Sequence, residues 1–332
     1  MGASANKRHR PTPAPSSSTT ALTEAGLFVL VALMAGYFVF LRYELNTEFP
    51  LATLTNLAEG TAYKPFQFRM LAPWLASGLA ATGMADLLRG YQIIDLLAVI
   101  GLFYAFRYLL SDYLEGTTLR LGSFLVFYAL PWNYLLARDL PLILPYDLAA
   151  VAFFAWGLAL LKRRQWTWFY PVFVIACLNR ETMAFLVVVL VAVEYGRMSN
   201  RSLGIHAAAM VGIWLAVKFV MGALYANNPG NALELYHVNS DVLHITTNID
   251  RLLIPRHLLI VLSNFGFAWL IVAVGYNRIH DRFARRSLWM VPLFVLMILI
   301  VGNINEIRVF GELLPVVMLG VVGVLQGRAT ST

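Results

Sequence analysis

Residues 166–193 read WTWFYPVFVIACL-NRET-MAFLVVVLVAV, two apolar runs joined by Asn179, Arg180, Glu181 and Thr182. A full charge at membrane depth costs about 2.5–3.5 kcal/mol on insertion scales, and more if it has no partner. Each run is shorter than the roughly 20 apolar residues that cross a bilayer as a helix. We therefore expect a hairpin whose tip lies below the outer membrane surface, surrounded by protein or water.

The composition of the whole chain indicates a polytopic membrane protein. Of its 332 residues, 59% are hydrophobic and 13% are charged, whereas a soluble domain is about 25% charged. We expect an all-α transmembrane helix bundle formed by residues 23–328 as a single domain. Its about ten spans are predicted near residues 25–43, 91–110, 119–137, 143–161, 166–179, 183–195, 203–225, 257–276, 287–304 and 309–325.

The tail, the net charge and the cysteine count exclude several other classes of protein and site. Residues 1–22 are rich in Pro, Ser and Thr and are predicted to form a disordered cytoplasmic tail. The net charge of +7 does not indicate nucleic-acid binding, because the charged residues lie at the ends of apolar spans. The single cysteine, Cys177, excludes an internal disulfide and a multi-cysteine metal site.

Basic clusters predict the orientation of the spans. Cytoplasmic loops carry an excess of Lys and Arg. All four basic clusters of the chain lie on the cytoplasmic side if residues 67–90 do not cross the membrane. The clusters are Lys7/Arg8/Arg10, Lys162–Arg164, Arg197/Arg201 and Arg278/Arg282/Arg285/Arg286. Residues 44–90 are then one large outer loop holding amphipathic or re-entrant helices, and residues 226–256 form a second. Both termini are predicted to be cytoplasmic, in a bacterial inner membrane.

This topology separates the charged residues into two groups. The inner carboxylates are Glu24, Asp112, Glu115, Glu194 and Asp281. The outer carboxylates are Glu44, Glu48, Glu59, Asp86, Asp139, Asp147, Glu181, Glu234, Asp241, Asp250, Glu306 and Glu312. Arginines also lie on the outer side, which the rule does not require: Arg69, Arg138, Arg180, Arg251, Arg256 and Arg308. They suggest an anionic ligand there, although ordinary solvation explains any single one of them.

The hairpin tip needs partners from elsewhere in the chain. Arg180 and Glu181 are adjacent and would point about 100° apart on a helix, so they should not pair with each other. Candidate partners are Glu306 and Arg308. One alternative is a structural pair that closes the bundle, with Glu306 matched to Arg180. Arg308 and Glu312 are four residues apart and would be neighbours on a helix.

Other candidate residues each have a structural alternative. Arg69 could contact a lipid phosphate or be an interfacial arginine. Glu48 or Glu44 could act as a general base or hold a divalent metal, the one cofactor that these loops suggest, or be solvated. Asp147 could support the site or cap a helix. Lys218 could snorkel outward or face a phosphate.

A weaker metal pattern lies in the second outer loop. His237, Asp241 and His244 could suggest a metal site, but their spacing matches no strong motif. Solvated loop residues are the better interpretation.

Three short stretches together are similar to the multi-spanning glycosyltransferases of the GT-C superfamily. They are FQFRMLAP at residues 66–73, LNRET at residues 178–182 and EIRVF at residues 306–310. The resemblance implies a sugar donor carried on polyprenyl phosphate. It also implies a catalytic acid early in the first outer loop, usually Asp, where this chain has Glu44 and Glu48.

Two functions follow as hypotheses. In the first, a glycosyltransferase moves a sugar from a polyprenyl-phosphate donor to a lipid-linked glycan or similar acceptor. The reaction takes place at the outer face of the inner membrane. Glu48 or Glu44 would be the base, and three arginines would hold the donor phosphate: Arg69, Arg180 and Arg308. The supporting residues would be Glu181, Glu306 and Asp147. In the second, a carrier or flippase moves an anionic lipid-linked sugar with the same arginines and without chemistry.

Overall fold

The structure is a computed structural model that describes residues 17–136, 139–237 and 240–329. Most of the predicted tail at residues 1–22 lies outside these ranges, as does Arg138. The described chain is almost entirely helical, which confirms the all-α class. Its one sheet is a parallel pair of two-residue strands, Thr47–Glu48 (β1) and Leu142–Ile143 (β2), found within the described ranges.

The helices of the described residues, in chain order, are α1 (Ser17–Leu45), α2 (Leu54–Glu59), α3 (Leu71–Ala81), α4 (Leu87–Leu110), α5 (Gly116–Ser123), α6 (Leu125–Pro131), α7 (Asp147–Lys162), α8 (Trp166–Asn179), α9 (Phe185–Glu194), α10 (Asn200–Leu224), α11 (His244–Leu252), α12 (Pro255–Leu262), α13 (Ala268–Gly275), α14 (Arg282–Ser287), α15 (Met290–Val301) and α16 (Leu314–Ala329). Short 3₁₀ segments occupy Phe66–Phe68, Glu181–Ala184, Asn264–Phe267, Tyr276–Arg278 and Ile307–Leu313, and a π-helical turn occupies Trp132–Leu136.

Several helices are long and apolar enough to cross a membrane, which is consistent with an integral membrane protein. Within the described residues there are five: Ala21–Leu45, Leu87–Leu110, Asn200–Leu224, Arg282–Val301 and Ile307–Gly327. A sixth is present if the bent pair Pro255–Leu262 and Asn264–Arg278 counts as one span. The larger number of about ten spans stays a prediction.

The predicted span at 257–276 is broken, and side chains from another segment explain the break. Its two halves are bent by 72°, and Phe265, Gly266 and Phe267 all have positive φ angles. The Phe265 amide donates to Asn133 Oδ1 at 3.0 Å, and the Tyr128 hydroxyl donates to the Gly266 carbonyl at 2.7 Å. These bonds satisfy the backbone groups that the break removes from the helix.

Helix α7 lies at the centre of the bundle and positions the site. All but three of its 16 residues are buried, most of them Ala, Leu or Val. It packs against α4, α8 and the Ile307–Leu313 turn. By contrast, α1 and α10 keep large apolar side chains exposed, such as Leu33 at 67% and Phe219 at 78%. Such apolar surface on a long helix is suited to lipid contact.

The predicted hairpin of α8 and α9 is present. Arg164, just before α8, forms an ion pair with Glu194, the last residue of α9, so the two ends of the hairpin meet. Between the helices, Arg180 has an extended backbone and a 3₁₀ turn follows it. The short helices, of 14 and 10 residues, therefore carry the polar tip into the interior of the bundle.

One end of the bundle gathers the inner carboxylates, and we call it the basic end. Its contacts are Glu24–Arg107, Asp112–Arg163, Asp112–Lys162, Glu194–Arg164 and the hydrogen bond from Tyr113 to Asp281. Four of the five predicted inner carboxylates therefore lie at one end of the bundle, and no such contact involves Glu115 among the described residues. Which membrane face this end occupies stays a prediction.

Candidate functional site

Asp147 is the centre of a buried ion cluster at the other end of the bundle. It is the first residue of α7, and its side chain is fully buried. Its carboxylate lies 3.2 Å from Arg180 Nη1, 3.1 Å from Arg308 Nη1 and 3.8 Å from Arg42 Nη2. The helix-cap alternative for Asp147 is wrong, because Tyr146 occupies the cap position and its side chain makes no cap hydrogen bond.

Each of these three arginines has a further carboxylate of its own. Arg42 pairs with Asp95, Arg180 Nε lies 3.3 Å from Glu312 Oε1, and Arg308 Nη2 lies 2.5 Å from Glu306 Oε2. We define the buried ion cluster as these seven residues: Arg42, Asp95, Asp147, Arg180, Glu306, Arg308 and Glu312. With all seven ionised, the four acids and three bases leave a net charge of −1, so most of the buried charge is offset by a partner of opposite sign.

The alternative that matched Glu306 to Arg180 is wrong, and the helical spacing that would make Arg308 and Glu312 neighbours is not present. Glu306 pairs with Arg308 rather than Arg180, and Arg308 does not pair with Glu312. Residues Ile307–Leu313 form a 3₁₀ helix, in which side chains three residues apart eclipse and those four apart do not align. Glu312 is therefore free to reach Arg180 and also accepts the Thr182 hydroxyl.

The prediction that Arg180 and Glu181 do not pair with each other is confirmed. Glu181 accepts two hydrogen bonds from Arg69, at 3.0 Å from Nε and 2.6 Å from Nη2. Arg69 Nη1 also donates to the Tyr146 hydroxyl at 2.9 Å, one residue before Asp147. The Arg69 and Glu181 side chains are 11% and 23% exposed, so this pair forms the accessible edge of the site.

Lys218 adds a cation beside that edge. Its Nζ lies 5.2 Å from the centre of the Phe68 ring, next to Arg69 in sequence. Burial raises the pKa of Glu181, but Arg69 and Lys218 outweigh it and hold that pKa below its ordinary value. Lys218 has no ion pair among the described residues. Both interpretations of Lys218, snorkelling and contact with a phosphate, stay predictions.

An apolar groove ends next to the cluster. It has a volume of about 270 Å³, lies between α3, α4 and α7, and includes the half-exposed Leu75 and Leu97. Asn179 lines its polar end, where Nδ2 donates to the Tyr146 carbonyl at 2.9 Å. Asn179 is fully buried, and its Oδ1 finds no hydrogen-bond partner among the residues that the structure describes. Arg180 of the cluster is the next residue along the chain.

A second, polar cleft lies in the loops at this end of the molecule. Its volume is about 620 Å³, and it is lined by Tyr63, Asn231, Glu234, Leu235, Tyr236, His237, Ser240 and Asp241. Asn228 joins its two walls by donating to the Gly60 and Ala62 carbonyls at 2.8 and 2.9 Å. Gly230 has a φ of +90° and lies directly on Tyr63, where a Cβ atom would approach to 2.3 Å.

Glu234 connects the polar cleft to the charged residues. Burial raises its pKa to about 7; Arg69 opposes this effect, whereas Glu306 and Glu181 add to it. Its Oε1 atom is buried and has no hydrogen-bond partner in the described part of the chain. Glu234 is therefore a carboxylate that neighbours Arg69 without forming an ion pair in the described structure.

The two glutamates of the first loop have no ion pair with the arginines of the site in the described residues. Glu44 and Glu48 are both exposed, and neither forms an ion pair with the arginines in the described parts of the chain. Glu48 Oε2 accepts the Leu54 amide at 2.9 Å, which anchors the start of α2. Their role as the base stays a prediction.

No metal centre is recognisable in residues 17–136, 139–237 and 240–329. Groups of three His, Cys, Asp or Glu side chains that could hold an ion are absent there. The His237 and His244 rings lie 4.0 Å apart between centres and tilt by 45°. The two rings therefore pack against each other in a tilted arrangement.

Sequence reasoning missed several members of the site. Arg42 and Asp95 lie within the spans predicted at 25–43 and 91–110 and were not singled out as site residues, and Glu234 was one of twelve outer carboxylates. Asp95 could have revealed its partner Arg42 from the sequence, because a carboxylate within an apolar span needs a nearby cation. Comparisons of the chain with protein-family models, with curated proteins and with solved structures find no match.

Proposed function

We propose that this protein is a membrane glycosyltransferase that uses a sugar carried on polyprenyl phosphate. It would transfer that sugar to a lipid-linked glycan or similar acceptor at the outer face of the membrane, within a bundle of about ten spans. The supporting observation is that an apolar groove and a set of cations adjoin each other. The groove ends at Asn179, and the next residue belongs to the buried ion cluster.

The groove suits the lipid chain of such a donor. It opens beside Leu75 and Leu97, which are 51% and 62% exposed on the apolar surface. Asn179 lines the groove, and its Oδ1, which has no hydrogen-bond partner among the described residues, could accept a hydrogen bond from a head group. A lipid-linked substrate therefore has an apolar path that leads directly to the charged residues.

The donor phosphate would bind first at Arg69 and Lys218. Arg69 is partly exposed, and Lys218 has no carboxylate partner among the described residues. Arg180 and Arg308 have side chains only 4% and 5% exposed, and both are held by Asp147. We propose that these two arginines do not contact the phosphate directly. Their positive charges would stabilise the negative charge on the leaving group electrostatically, from behind Arg69 and Lys218.

The reaction would be a single displacement with inversion at the anomeric carbon. The acceptor oxygen forms a bond to that carbon, while the bond from the carbon to the phosphate oxygen breaks. The electron pair leaves with the polyprenyl phosphate, whose added negative charge Arg69 and Lys218 stabilise. A carboxylate takes the acceptor proton. The sequence-based candidates for this role are Glu48 and Glu44.

The test is sugar transfer by the purified protein in liposomes. The donors are polyprenyl-phosphate hexoses and pentoses with a labelled sugar, presented with extracted membrane glycolipids as acceptors. Replacing Arg69 or Lys218 by Ala should lower the transfer rate about 10²–10³-fold, since each removes a charge-stabilising donor. Arg163→Ala at the basic end is the matched control and should retain activity. Full activity in both site variants would contradict the proposal.

A carrier without chemistry is the alternative function. Charges on a transport path should continue toward the other membrane face. Between the cluster and the basic end, α4 and α7 bury chiefly apolar residues, including Val99–Phe106 and Leu148–Leu161. This favours chemistry at one end. An assay that follows movement of the labelled lipid separately from loss of its sugar distinguishes the two.

A further inference from the structure

We propose that the polar cleft lined by Tyr63, Asn231, Glu234 and Tyr236 binds the saccharide acceptor, and that Glu234 is the catalytic base. The catalytic part of this proposal rests on the proposed function. The binding part stands on the cleft itself and can be tested without any transfer reaction.

The cleft is a built feature of the fold rather than a gap between loose loops. Besides the Asn228 bonds, the Lys64 amide donates to the Pro229 carbonyl at 2.8 Å, and Lys64 Nζ donates to the Ala226 carbonyl at 2.9 Å. Gly230 supplies the close approach to Tyr63 that a side chain would prevent. Hydrogen bonds therefore hold the segment that carries Tyr63 against residues 226–229, which lead directly into the other wall of the cleft.

The size and chemistry of the cleft fit a saccharide. Its volume of about 620 Å³ is within the roughly 300–1,000 Å³ range of small-molecule sites. Tyr63 and Tyr236 offer flat apolar rings with a polar tip. Asn231 and Glu234 offer hydrogen-bond donors and acceptors for hydroxyl groups. Polar groups of this kind beside aromatic rings are suited to a ligand that presents both C–H faces and hydroxyls.

Glu234 is better placed than Glu48 to act on that ligand. Glu48 is exposed and accepts a backbone amide at 2.9 Å. Glu234 has an unpartnered buried oxygen and belongs to the cleft wall. It also lies within the electrostatic influence of Arg69, the residue we assign to the donor phosphate. The proposal therefore assigns the acceptor to the cleft and the donor phosphate to Arg69.

The proposed step balances without a cofactor. A Glu234 carboxylate oxygen takes the proton of an acceptor hydroxyl as that oxygen bonds to the anomeric carbon of the donor sugar. The bond from that carbon to phosphate breaks, and its electrons leave with the phosphate. The proton on Glu234 then passes to water or to the released polyprenyl phosphate, which restores the carboxylate.

The charged surroundings of Glu234 predict a pH dependence. Arg69, Glu181 and Glu306 act on it from neighbouring segments, and His237 and Asp241 share the cleft. Its pKa is raised to about 7, chiefly by burial. A base must be ionised, so transfer should be lost as the pH falls below this value and should level off above it.

The binding part is tested by saturation-transfer NMR on the full-length protein in nanodiscs. The probes are maltose, lactose, cellobiose and chitobiose at millimolar concentration. At least one disaccharide should bind, and Tyr63→Ala or Asn231→Ala should weaken its binding at least fivefold. Absence of binding by all four to the wild type, or equal binding by both variants, would overturn the assignment of the cleft.

The catalytic part is tested in the transfer assay by Glu234→Gln. We expect kcat to fall about 10²–10⁴-fold, the limb of the pH profile near 7 to disappear, and Glu234→Asp to restore part of the rate. Donor binding should not change. Glu59→Gln, an exposed glutamate at the end of α2, is the matched control and should behave as wild type.

The outcomes separate the two proposals. If wild type transfers sugar and Glu234→Gln does so within twofold with the same pH profile, Glu234 is not the base, while the proposed function stands. If wild type transfers nothing to any acceptor, the proposed function and the catalytic part fail together. The NMR result then decides the binding role of the cleft alone.

Discussion

The two ends of the bundle both gather charged residues, but they hold them in opposite ways. At the basic end the pairs are partly exposed, as in Glu24–Arg107, where the side chains are 36% and 21% exposed. In the buried ion cluster, Asp147 is 0% exposed and Arg180 is 4% exposed. Exposed pairs stabilise a fold by about 0–1 kcal/mol, whereas breaking a buried pair costs about 3–5 kcal/mol.

This difference indicates different uses of charge. The basic end can be explained by membrane orientation and by solvated pairs that close neighbouring helices. The buried cluster removes many charges from water, which is costly. Replacing such a cluster by hydrophobic residues of similar volume often leaves a protein equally stable. A cost of this kind is usually associated with function. We therefore expect stability and activity to respond differently at the two ends.

The largest effect should come from Asp147→Asn, compared with Asp112→Asn at the basic end. Loss of the Asp147 charge leaves three arginines around a neutral amide, and we expect a destabilisation of about 4–5 kcal/mol. The Asp112 change should cost about 1 kcal/mol or less. Chemical unfolding in detergent micelles, followed by tryptophan fluorescence, measures both. Equal effects would show that burial does not distinguish the two ends.

A double-mutant cycle on Arg42 and Asp95 should give the next largest effect. Asp95→Leu alone leaves Arg42 with Asp147 at 3.8 Å and the Leu144 carbonyl, and should cost about 3–4 kcal/mol. Adding Arg42→Met removes the uncompensated charge and should recover at least half of that loss. The same unfolding assay measures the coupling. Additive losses would mean that the two side chains act independently.

Substitution of two glycines by alanine should change the stability by an intermediate amount, because one glycine is tightly packed and the other is not. A Cβ atom at Gly311 would lie 2.1 Å from the Tyr134 hydroxyl and 2.9 Å from Val151. Gly311→Ala should therefore destabilise the protein by about 1–3 kcal/mol. Gly204 in α10 has open space at the same position, and Gly204→Ala should stabilise by about 0.5–1 kcal/mol. Thermal unfolding of the two variants should move in opposite directions.

The smallest effect should come from Glu24→Gln at the basic end. Glu24 contacts Arg107 at 2.6 Å and Arg120 at 3.4 Å, and its side chain is 36% exposed. We expect a loss of about 0.2–1 kcal/mol, which should shrink as salt is added. Unfolding at low and high ionic strength tests this. A larger loss that salt does not reduce would place Glu24 with the buried pairs.

Local patterns predicted the class of the fold and the sides on which charges lie. Apolar run lengths indicated a helical membrane protein, and the basic clusters predicted that Glu24, Asp112, Glu194 and Asp281 share one end. The separation of Arg180 from Glu181 followed from helix geometry. These features depend on neighbours in sequence and on the general behaviour of charges near a bilayer.

The pairing within the cluster could not be predicted in the same way. Arg180 contacts Asp147 and Glu312, which are 33 and 132 positions away, so the packing of helices decides its partners. Glu234 is recognisable only when the loop folds against residues 60–64. The bend near Phe265 depends on Asn133, on a different segment. None of these partners leaves a periodic pattern in the sequence.

The short hairpin of α8 and α9 has a consequence for the surrounding lipid. Its first helix has 14 residues, a length of about 21 Å against a hydrocarbon core of about 30 Å. If this hairpin faces lipid, as the predicted spans require, it would leave a hydrophobic mismatch of about 9 Å beside the polar tip, which a bilayer relieves by local thinning. Bilayer thickness should therefore regulate access to Arg69 and Glu181, with thicker acyl chains slowing entry of any ligand.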